Sequence, residues 1–185
     1  IESIHAREIT SFEFYPSPQI MFDIMGFGKT DEEFNKDVER FKFWLTGLFK
    51  ENIQMVADGL EVELEEITEE VTFSYAENDL EPAAGLVKAG TIAGQFWQWA
   101  GVINGEKRII HETVWRMHNS VAPDWPTGNH SITIEGEPFM HVELEDGKWA
   151  DDLLLATAMH AVNAIPYIVN ASPGVKTFLD LPLMI

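Results

Sequence analysis

The alternation of hydrophobic and polar residues divides the chain into strands, one long helix and a C-terminal helix. Residues Ile1 to Ile9 predict an opening strand, and Val71–Tyr75 alternates as a later strand. Between them, apolar residues recur at steps of three, four or seven, which is the spacing of one helix face. These helix positions are Phe34, Val38, Phe41, Leu45, Leu48 and Met55.

Polar residues at both ends of this helix predict where it begins and stops. Thr30 is placed to cap the first turn while Glu33 reaches back to it, the reciprocal arrangement called a capping box. Asp58-Gly59 supplies a C-terminal stop. Gly47 lies in the middle, so the segment is expected to form one long helix or a pair of helices.

Asn104-Gly105, between two apolar-rich runs, predicts a two-residue type I′ hairpin, because both central residues must take positive φ. Unbroken pairing from that turn sets Gln98 opposite His111 and Phe96 opposite Thr113. One face of the hairpin is then expected to carry Phe96, Gln98, His111, Thr113 and Trp115. The other face is expected to carry Trp97, Trp99, Ile110, Glu112, Val114 and Arg116.

The second half of the chain predicts another hairpin followed by a helix and an ordered tail. Ile132–Ile134 pairs with His141–Leu144 in this interpretation, and Asp146-Gly147 ends the hairpin. Asp151 or Asp152 caps a final helix from Leu153 to about Ile165, which stops at Pro166. The tail from Ala171 to Pro182 winds back through two turns. The fold class predicted is α+β.

Composition narrows the classes of function. The length of 185 residues fits one domain, 1–185. A net charge of -19, from 31 acidic and 12 basic residues, disfavours nucleic acid and anionic membrane surfaces as partners. No apolar run approaches the ~18 residues of a membrane span, and there is no cysteine. We therefore expect no membrane partner and a reducing, cytoplasmic location.

Common catalytic and metal motifs fail on inspection. His111-Glu112 begins a zinc-protease pattern, but position 115 holds Trp115 instead of a second histidine. Gly26-Phe-Gly28 lacks the third glycine of a dinucleotide fingerprint. His141 and Glu143 share one side of a strand and could bind a metal with His130 or His118, although exposed or core histidines explain them better. No catalytic residue and no metal site are assigned.

The first hairpin face remains as a candidate small-molecule site. Phe96 and Trp115 frame the polar side chains of Gln98, His111 and Thr113, and pockets commonly combine an apolar wall with few polar groups. In such a cleft His111 would titrate near neutrality, whereas Gln98 and Thr113 would only orient a ligand. A polar cluster within an oligomer interface explains the same residues equally well.

The sequence also resembles a known family along nearly its whole length. The segments that carry the resemblance are the opening strand with Arg7, Gly26-Phe-Gly-Lys-Thr-Asp-Glu-Glu-Phe34, Ala89-Gly-Thr-Ile-Ala-Gly94, Val162-Asn-Ala-Ile-Pro166 and Pro173-Gly174. They are similar to the C-terminal domain of 2,4-diaminopentanoate dehydrogenase-like proteins and native amine dehydrogenases, distant relatives of dihydrodipicolinate reductase. The resemblance implies a dihydrodipicolinate-reductase-like C-terminal domain built on an open mixed sheet, largely antiparallel.

For function, the resemblance implies the substrate-binding and oligomerisation domain of an NAD(P)H-dependent oxidoreductase. Hydride would pass to an amine-derived imine or a keto compound, and NAD or NADP would be bound mainly by an N-terminal Rossmann domain absent from this chain. Phe96, Gln98, His111, Thr113 and Trp115 would line the substrate cavity, and Asn163 would approach the nicotinamide.

The resemblance also implies a homodimer or homotetramer formed through the sheet, with the isolated chain inactive. The His-His and Lys-x-Asp-x-Pro-Ser-Gly-Thr signature of authentic dihydrodipicolinate reductases is absent, which argues against that reaction. The alternative is a non-catalytic dimerisation or small-ligand-binding module on the same scaffold.

Overall fold

The chain forms an open sheet with one long helix on it, followed by a helical C-terminal segment. A computed structural model describes residues 1–144 and 149–182, without the side chains of 37–43, 149–154, 156 and 157. The elements are β1 Ser3–Ser11, α1 Asp31–Gly59, β2 Glu66–Tyr75, β3 Ile92–Ile103, β4 Glu106–Arg116, β5 His130–Glu135, β6 Met140–Leu144 and α2 Trp149–Asn170. A π-helical turn, Gln19–Ile24, and a 3-10 turn, Phe178–Asp180, complete the set.

The six strands lie in the order β2-β3-β4-β1-β5-β6. Only β1 and β4 pair in parallel, and the other four pairings are antiparallel. Strand β1 lies between β4 and β5, so it joins the antiparallel group β2-β3-β4 to the hairpin of β5 and β6. The prediction of an α+β fold with an open, mixed and largely antiparallel sheet is therefore confirmed.

Helix α1 is continuous from Asp31 to Gly59. The Glu33 amide donates to Thr30 Oγ1 at 3.3 Å and the Thr30 amide donates to Glu33 Oε2 at 2.9 Å, so the predicted capping box is confirmed. Gly47 does not interrupt the helix. A side chain built at this position would meet nothing within 4 Å, so no close packing depends on the glycine.

The core lies between α1 and strands β2, β3 and β4. Trp97 and Trp99 are fully buried, and their rings stack with centroids 5.5 Å apart. Phe49 of α1 stacks on Trp99 at 4.0 Å. Burial of each large side chain contributes roughly 1.5 to 3 kcal/mol, so this aromatic stack anchors the helix to the sheet.

A β-bulge in the first hairpin changes the predicted register. The turn pairs Ile103 with Glu106 as expected, but the register shifts at Gly101/Val102, where Gly101 pairs with Ile109 and leaves Arg108 as the extra residue. Gln98 consequently faces Glu112, and Trp99 faces His111. A shift of one residue exchanges the two faces of a strand. The prediction that all five substrate-binding candidates share one face is therefore wrong.

Two faces of the sheet can now be defined. The helix face, against which α1 packs, carries Trp97, Trp99, His111, Thr113 and Trp115. The open face carries Phe96, Gln98, Ile110, Glu112 and Arg116. The second predicted hairpin is confirmed as β5 and β6, in which Ile132 pairs with Val142.

The C-terminal segment, 145–185, forms a compact unit separate from 1–144. Its helix α2 starts at Trp149, ahead of the capping residues predicted at Asp151 or Asp152, and it continues through Pro166 to Asn170. The predicted stop at Pro166 is wrong, because proline removes one amide donor without preventing the next turn from forming. Asn170 Nδ2 donates to the Pro166 carbonyl at 2.7 Å in that turn.

The predicted turn at Asp146-Gly147 lies outside the described residues. Within the described part of the chain, no helix combines the length and the apolar character needed to cross a bilayer.

Candidate functional site

Three of the predicted substrate-binding residues, which are consecutive alternate positions of β4, lie on the helix face. Phe49 contacts the imidazole of His111 edge-on, with ring centroids 4.6 Å apart. Thr113 is fully buried and Trp115 is 6% exposed. Trp115 Nε1 donates to Glu8 Oε1 at 2.8 Å, so the Glu8 carboxylate of β1 lies beside the Trp115 side chain. Alternation on β4 explains why these three side chains point the same way.

Two polar atoms of this set have no hydrogen-bond partner among the described residues. They are His111 Nε2 and Thr113 Oγ1, both shielded from solvent. Burial lowers the pKa of His111, and this effect exceeds the opposing influence of the Glu8 carboxylate. The imidazole is therefore expected to be neutral near pH 7, with one ring nitrogen able to accept a hydrogen bond.

Gln98 belongs to a polar network on the open face. Glu112 accepts from Gln98 Nε2 at 2.8 Å and from Arg7 Nε at 2.7 Å, and His5 Nε2 lies 2.9 Å from its carboxylate. Lys107 Nζ extends the network by donating to Gln98 Oε1 at 2.7 Å. Burial opposes ionisation, but the contacts from His5, Gln98 and Arg7 lower the pKa of Glu112 to about 2.

Phe96 packs against a loop on the same open face. Its ring meets Trp125 edge-on at 5.7 Å. Arg116 fixes the loop by donating to the carbonyls of Val121 and Pro126, each at 2.9 Å. Phe96 therefore helps to hold a surface loop, and its predicted contact with substrate would require an approach from the open face.

A cleft that the sequence did not reveal lies at the start of α1. Its volume is about 440 Å³, which is within the usual range for small-molecule sites. The lining residues are Phe22, Asp23, Phe27, Gly28, Lys29, Glu33 and Leu86. Gly28 has φ +71, and a side chain there would approach Phe22 Cδ1 within 3.3 Å. Backbone freedom at Gly28 thus lets the turn pass close under the aromatic wall.

Asn163, the predicted cofactor contact, lies on α2 with its side chain exposed. It belongs to the C-terminal unit, whereas the substrate-binding candidates belong to 1–144. Its role stays a prediction.

The metal alternative gains no geometric support among the described residues. His141 Nε2 lies 3.7 Å from Glu143 Oε1, and both side chains are largely exposed. The described residues contain no group of three or more His, Asp or Glu side chains arranged to hold a metal ion.

Comparison with known proteins places the chain in a family. The model for the 2,4-diaminopentanoate dehydrogenase C-terminal domain matches residues 1–185. An amine dehydrogenase of Streptomyces virginiae is 32% identical over 197 residues, which cover 99% of this chain and 53% of the relative. A 2,4-diaminopentanoate dehydrogenase of Acetoanaerobium sticklandii is 30% identical over 191 residues, which cover 99% of this chain and 50% of the relative. The chain therefore spans about half the length of these relatives.

A solved structure of amine dehydrogenase from Mycobacterium smegmatis shares the fold. It superposes with a TM-score of 0.69 at 20% identity, and the match covers 100% of this chain and 52% of that one. The match of the family model confirms the resemblance seen in the sequence: this chain belongs to the 2,4-diaminopentanoate dehydrogenase C-terminal domain family.

Proposed function

We propose that this chain is the substrate-binding domain of an NAD(P)-dependent oxidoreductase that transfers hydride to or from an amine, imine or keto compound. The observation that carries the proposal is the family match over all 185 residues, together with two dehydrogenase relatives of twice the length. We further propose that the dinucleotide is bound mainly by sequence outside these residues, and that the protein works in the cytoplasm.

The start of α1 does not fit a dinucleotide pyrophosphate. The turn at Gly26 and Gly28 leads into α1, but the Gly28 amide donates to the Ile92 carbonyl at 2.8 Å and the Glu33 amide is taken by Thr30. Amides at a helix start bind phosphate only when they are available. We therefore assign this chain to substrate binding and orientation, and we derive no chemical step through the cofactor.

The cleft at the start of α1 suits the apolar part of such a substrate. Phe22 and Leu86 offer hydrophobic surface, while Asp23, an exposed lining residue, offers a counter-charge for an ammonium group. His111, Thr113 and Trp115 remain proposed as polar and aromatic contacts from the helix face. Phe96 and Gln98 remain proposed contacts only for a substrate that reaches the open face.

The test uses the longer protein that contains this chain and measures NAD(P)H oxidation with a ketone and ammonia, and the reverse reaction with an amine. Leu86→Ala removes apolar wall, so we expect KM for the organic substrate to rise roughly threefold to tenfold while KM for NAD(P)H stays unchanged. Leu48→Ala on α1 is the matched control, since Leu48 is 45% exposed and Leu86 50%. Absence of hydride transfer with any amine or carbonyl compound would refute the proposal.

A second candidate function is a dimerisation or small-ligand-binding module without redox activity. It is favoured by the open face, where a network from Glu70 through Lys107, Gln98 and Glu112 to Arg7 crosses four strands. Within residues 1–144, α1 packs only on the opposite face. We propose that the open face joins copies into a homodimer or homotetramer whether or not the protein is an oxidoreductase. Oligomeric state therefore does not separate the two candidate functions, and turnover measured in the longer protein does.

A further inference from the structure

The two edge strands of the six-stranded sheet differ in how they are protected. Strand β2, at one edge, is half-buried at most positions and carries Glu66, Glu69 and Glu70. Charged residues on an edge strand discourage pairing with another chain. Strand β6, at the other edge, is exposed at all five positions, and Glu143 is its single acidic residue. Among the described residues no strand lies beyond β6, so this edge is open to a further strand.

The side chains of β6 add apolar surface to this edge. Met140, Val142 and Leu144 are 45%, 55% and 60% exposed. Alternation along the strand places all three on one face. Val142 pairs with Ile132 of β5, which is itself 46% exposed, so the apolar surface continues onto the next strand. An exposed apolar edge strand without proline or lysine favours the addition of another strand.

The residues of β6 are complementary to a second copy of the same strand. In an antiparallel pair with its two-fold axis at Val142, each residue lies opposite the one equally distant on the other side of Val142. His141 then lies opposite Glu143 of the second copy, and Met140 lies opposite Leu144 of the second copy. This register sets an imidazole against a carboxylate twice, and it sets apolar side chains against each other at the remaining positions.

The orientation of the His141 side chain suits this register. Its Nδ1 lies 2.9 Å from Thr133 Oγ1, and its Nε2 lies 3.7 Å from Glu143 Oε1 of the same strand. The second distance is too long for a hydrogen bond. With Nδ1 accepting from the Thr133 hydroxyl, a neutral imidazole carries its hydrogen on Nε2. Nε2 can therefore donate to a carboxylate that lies opposite, whether or not the ring is charged.

We propose that β6 pairs with β6 of a second copy, antiparallel and with Val142 at the two-fold axis, so that two sheets join edge to edge. Five residues a side are far fewer than the roughly 20 to 30 of a stable interface, so the contact is transient by itself. A homotetramer needs a second kind of two-fold contact besides the open face, and the β6 edge supplies it. Once one edge pair joins two open-face dimers, the second forms within the same assembly.

Cross-linking detects such a contact even where it is too weak to persist in sedimentation. The chain has no cysteine, so a single cysteine reports which residues of two copies meet. Under oxidising conditions Val142→Cys should form a disulfide-linked dimer of the 185-residue chain, because residues opposite each other have Cα atoms about 4.5 to 5.5 Å apart. Met140→Cys should react roughly tenfold more slowly, since its counterpart lies about 13 Å away along the strand. Met140→Cys mixed with Leu144→Cys should cross-link readily.

Thr72→Cys, exposed on β2, is the control for the choice of edge. It should cross-link as slowly as Met140→Cys, because the acidic β2 edge does not pair. Equal rates for Val142→Cys and Met140→Cys would overturn the proposed register. Equal rates for Val142→Cys and Thr72→Cys would overturn the edge contact itself.

Exchange of charges tests the pairing of His141 with Glu143. In the Val142→Cys background, His141→Glu sets carboxylates opposite each other and should slow cross-linking roughly tenfold. Adding Glu143→His restores an opposite pair with the original composition, so the rate should return to that of Val142→Cys alone. His160→Glu, exposed on α2, adds the same charge elsewhere and should slow the reaction less than about twofold. A double variant as slow as His141→Glu would overturn the pairing.

The edge contact does not rest on the proposed function, and the two fail in distinguishable ways. Register-specific cross-linking of the chain, with no turnover in the longer protein, would refute the proposed function and retain the edge contact. Turnover in the longer protein, with no faster reaction at Val142→Cys than at Thr72→Cys, would retain the function and refute the edge contact.

Discussion

At the scale of single residues, Glu112 shows how contacts decide the charge of a nearly buried acid. The residue is 5% exposed, and burial alone would favour its neutral form. Donors from Gln98 and Arg7, with His5 at 2.9 Å, outweigh burial and hold the carboxylate ionised. The bulge makes these contacts possible, because the residue opposite Gln98 is Glu112 and not the predicted His111.

We expect Glu112→Gln to lower the free energy of unfolding at pH 7 by about 1.5 to 3 kcal/mol, the usual contribution of a hydrogen bond to a charged group. The pKa of Glu112 falls from 4.5 to about 2 on folding, so the stability it contributes is present above pH 4.5. That contribution is lost as the pH falls toward 2. The difference between wild type and variant in urea unfolding should therefore shrink over that range.

Glu70→Gln is the control for this experiment. Among the described residues Glu70 pairs with Lys107 at 2.6 Å, and its side chain is 65% exposed, so its loss should cost less than about 1 kcal/mol. A difference between wild type and Glu112→Gln that stays constant from pH 7 to pH 2 would contradict the assigned role of Glu112.

At the scale of elements, the approach of α1 to β3 depends on a glycine. A Cβ atom at Gly101 would lie 2.9 Å from side-chain atoms of both Ile53 and Leu64. Ile53 of α1 lies in the core and Leu64 packs against it, so a larger residue at position 101 must push these side chains away from the sheet. Gly101 therefore sets the spacing of the layers beside the bulge.

Gly101→Val should destabilise the chain by about 1 to 3 kcal/mol through overpacking. Gly47→Ala on α1 is the matched control with the opposite sign, since nothing lies within 4 Å of its Cβ position. Alanine should stabilise the helix interior there by about 0.5 to 1 kcal/mol. Thermal unfolding of both variants measures these changes in stability. A Gly101→Val variant as stable as wild type would contradict the prediction and show that helix and sheet can move apart at little cost.

Local chemistry allowed several elements to be predicted from the sequence. The Thr30 capping box and the turn at Asn104-Gly105 each depend on residues within a few positions, so residue type alone indicates them. The bulge at Arg108 had a weak cue in Gly101, since a glycine inside a strand often marks a bulge, but residue type does not say where the ladder takes the extra residue. The stop predicted at Pro166 is wrong because proline lowers the stability of a helix without forbidding it, and α2 continues to Asn170.

At the scale of the whole molecule, the candidate site depends on a pairing that spans a hundred residues. Glu8 and Thr113 are neighbours only because β1 pairs in parallel with β4. Hydrophobic alternation identified both strands, but it does not specify which strands are adjacent or in which direction they run. The sequence therefore indicated His111, Thr113 and Trp115, and it could not indicate the Glu8 carboxylate, which accepts from Trp115 Nε1.

Net charge opposes the assembly expected of this molecule and makes it salt-dependent. Two copies with a formal charge of -19 each repel at low ionic strength, where the screening length is about 30 Å at 0.01 M, and far less at 0.15 M, where it is about 8 Å. If the open face joins copies of the chain, sedimentation velocity should show the oligomeric fraction rising between these salt concentrations.

Ile110→Asp tests whether the open face itself makes that contact. The half-buried Ile110 lies on this face beside Glu112, so an added carboxylate places like charges together and should abolish association at both salt concentrations. Leu48→Asp on the exposed side of α1 adds the same charge elsewhere, and it should leave association intact apart from a small shift with salt. Equal loss of association in both variants would mean that total charge, and not the open face, governs assembly.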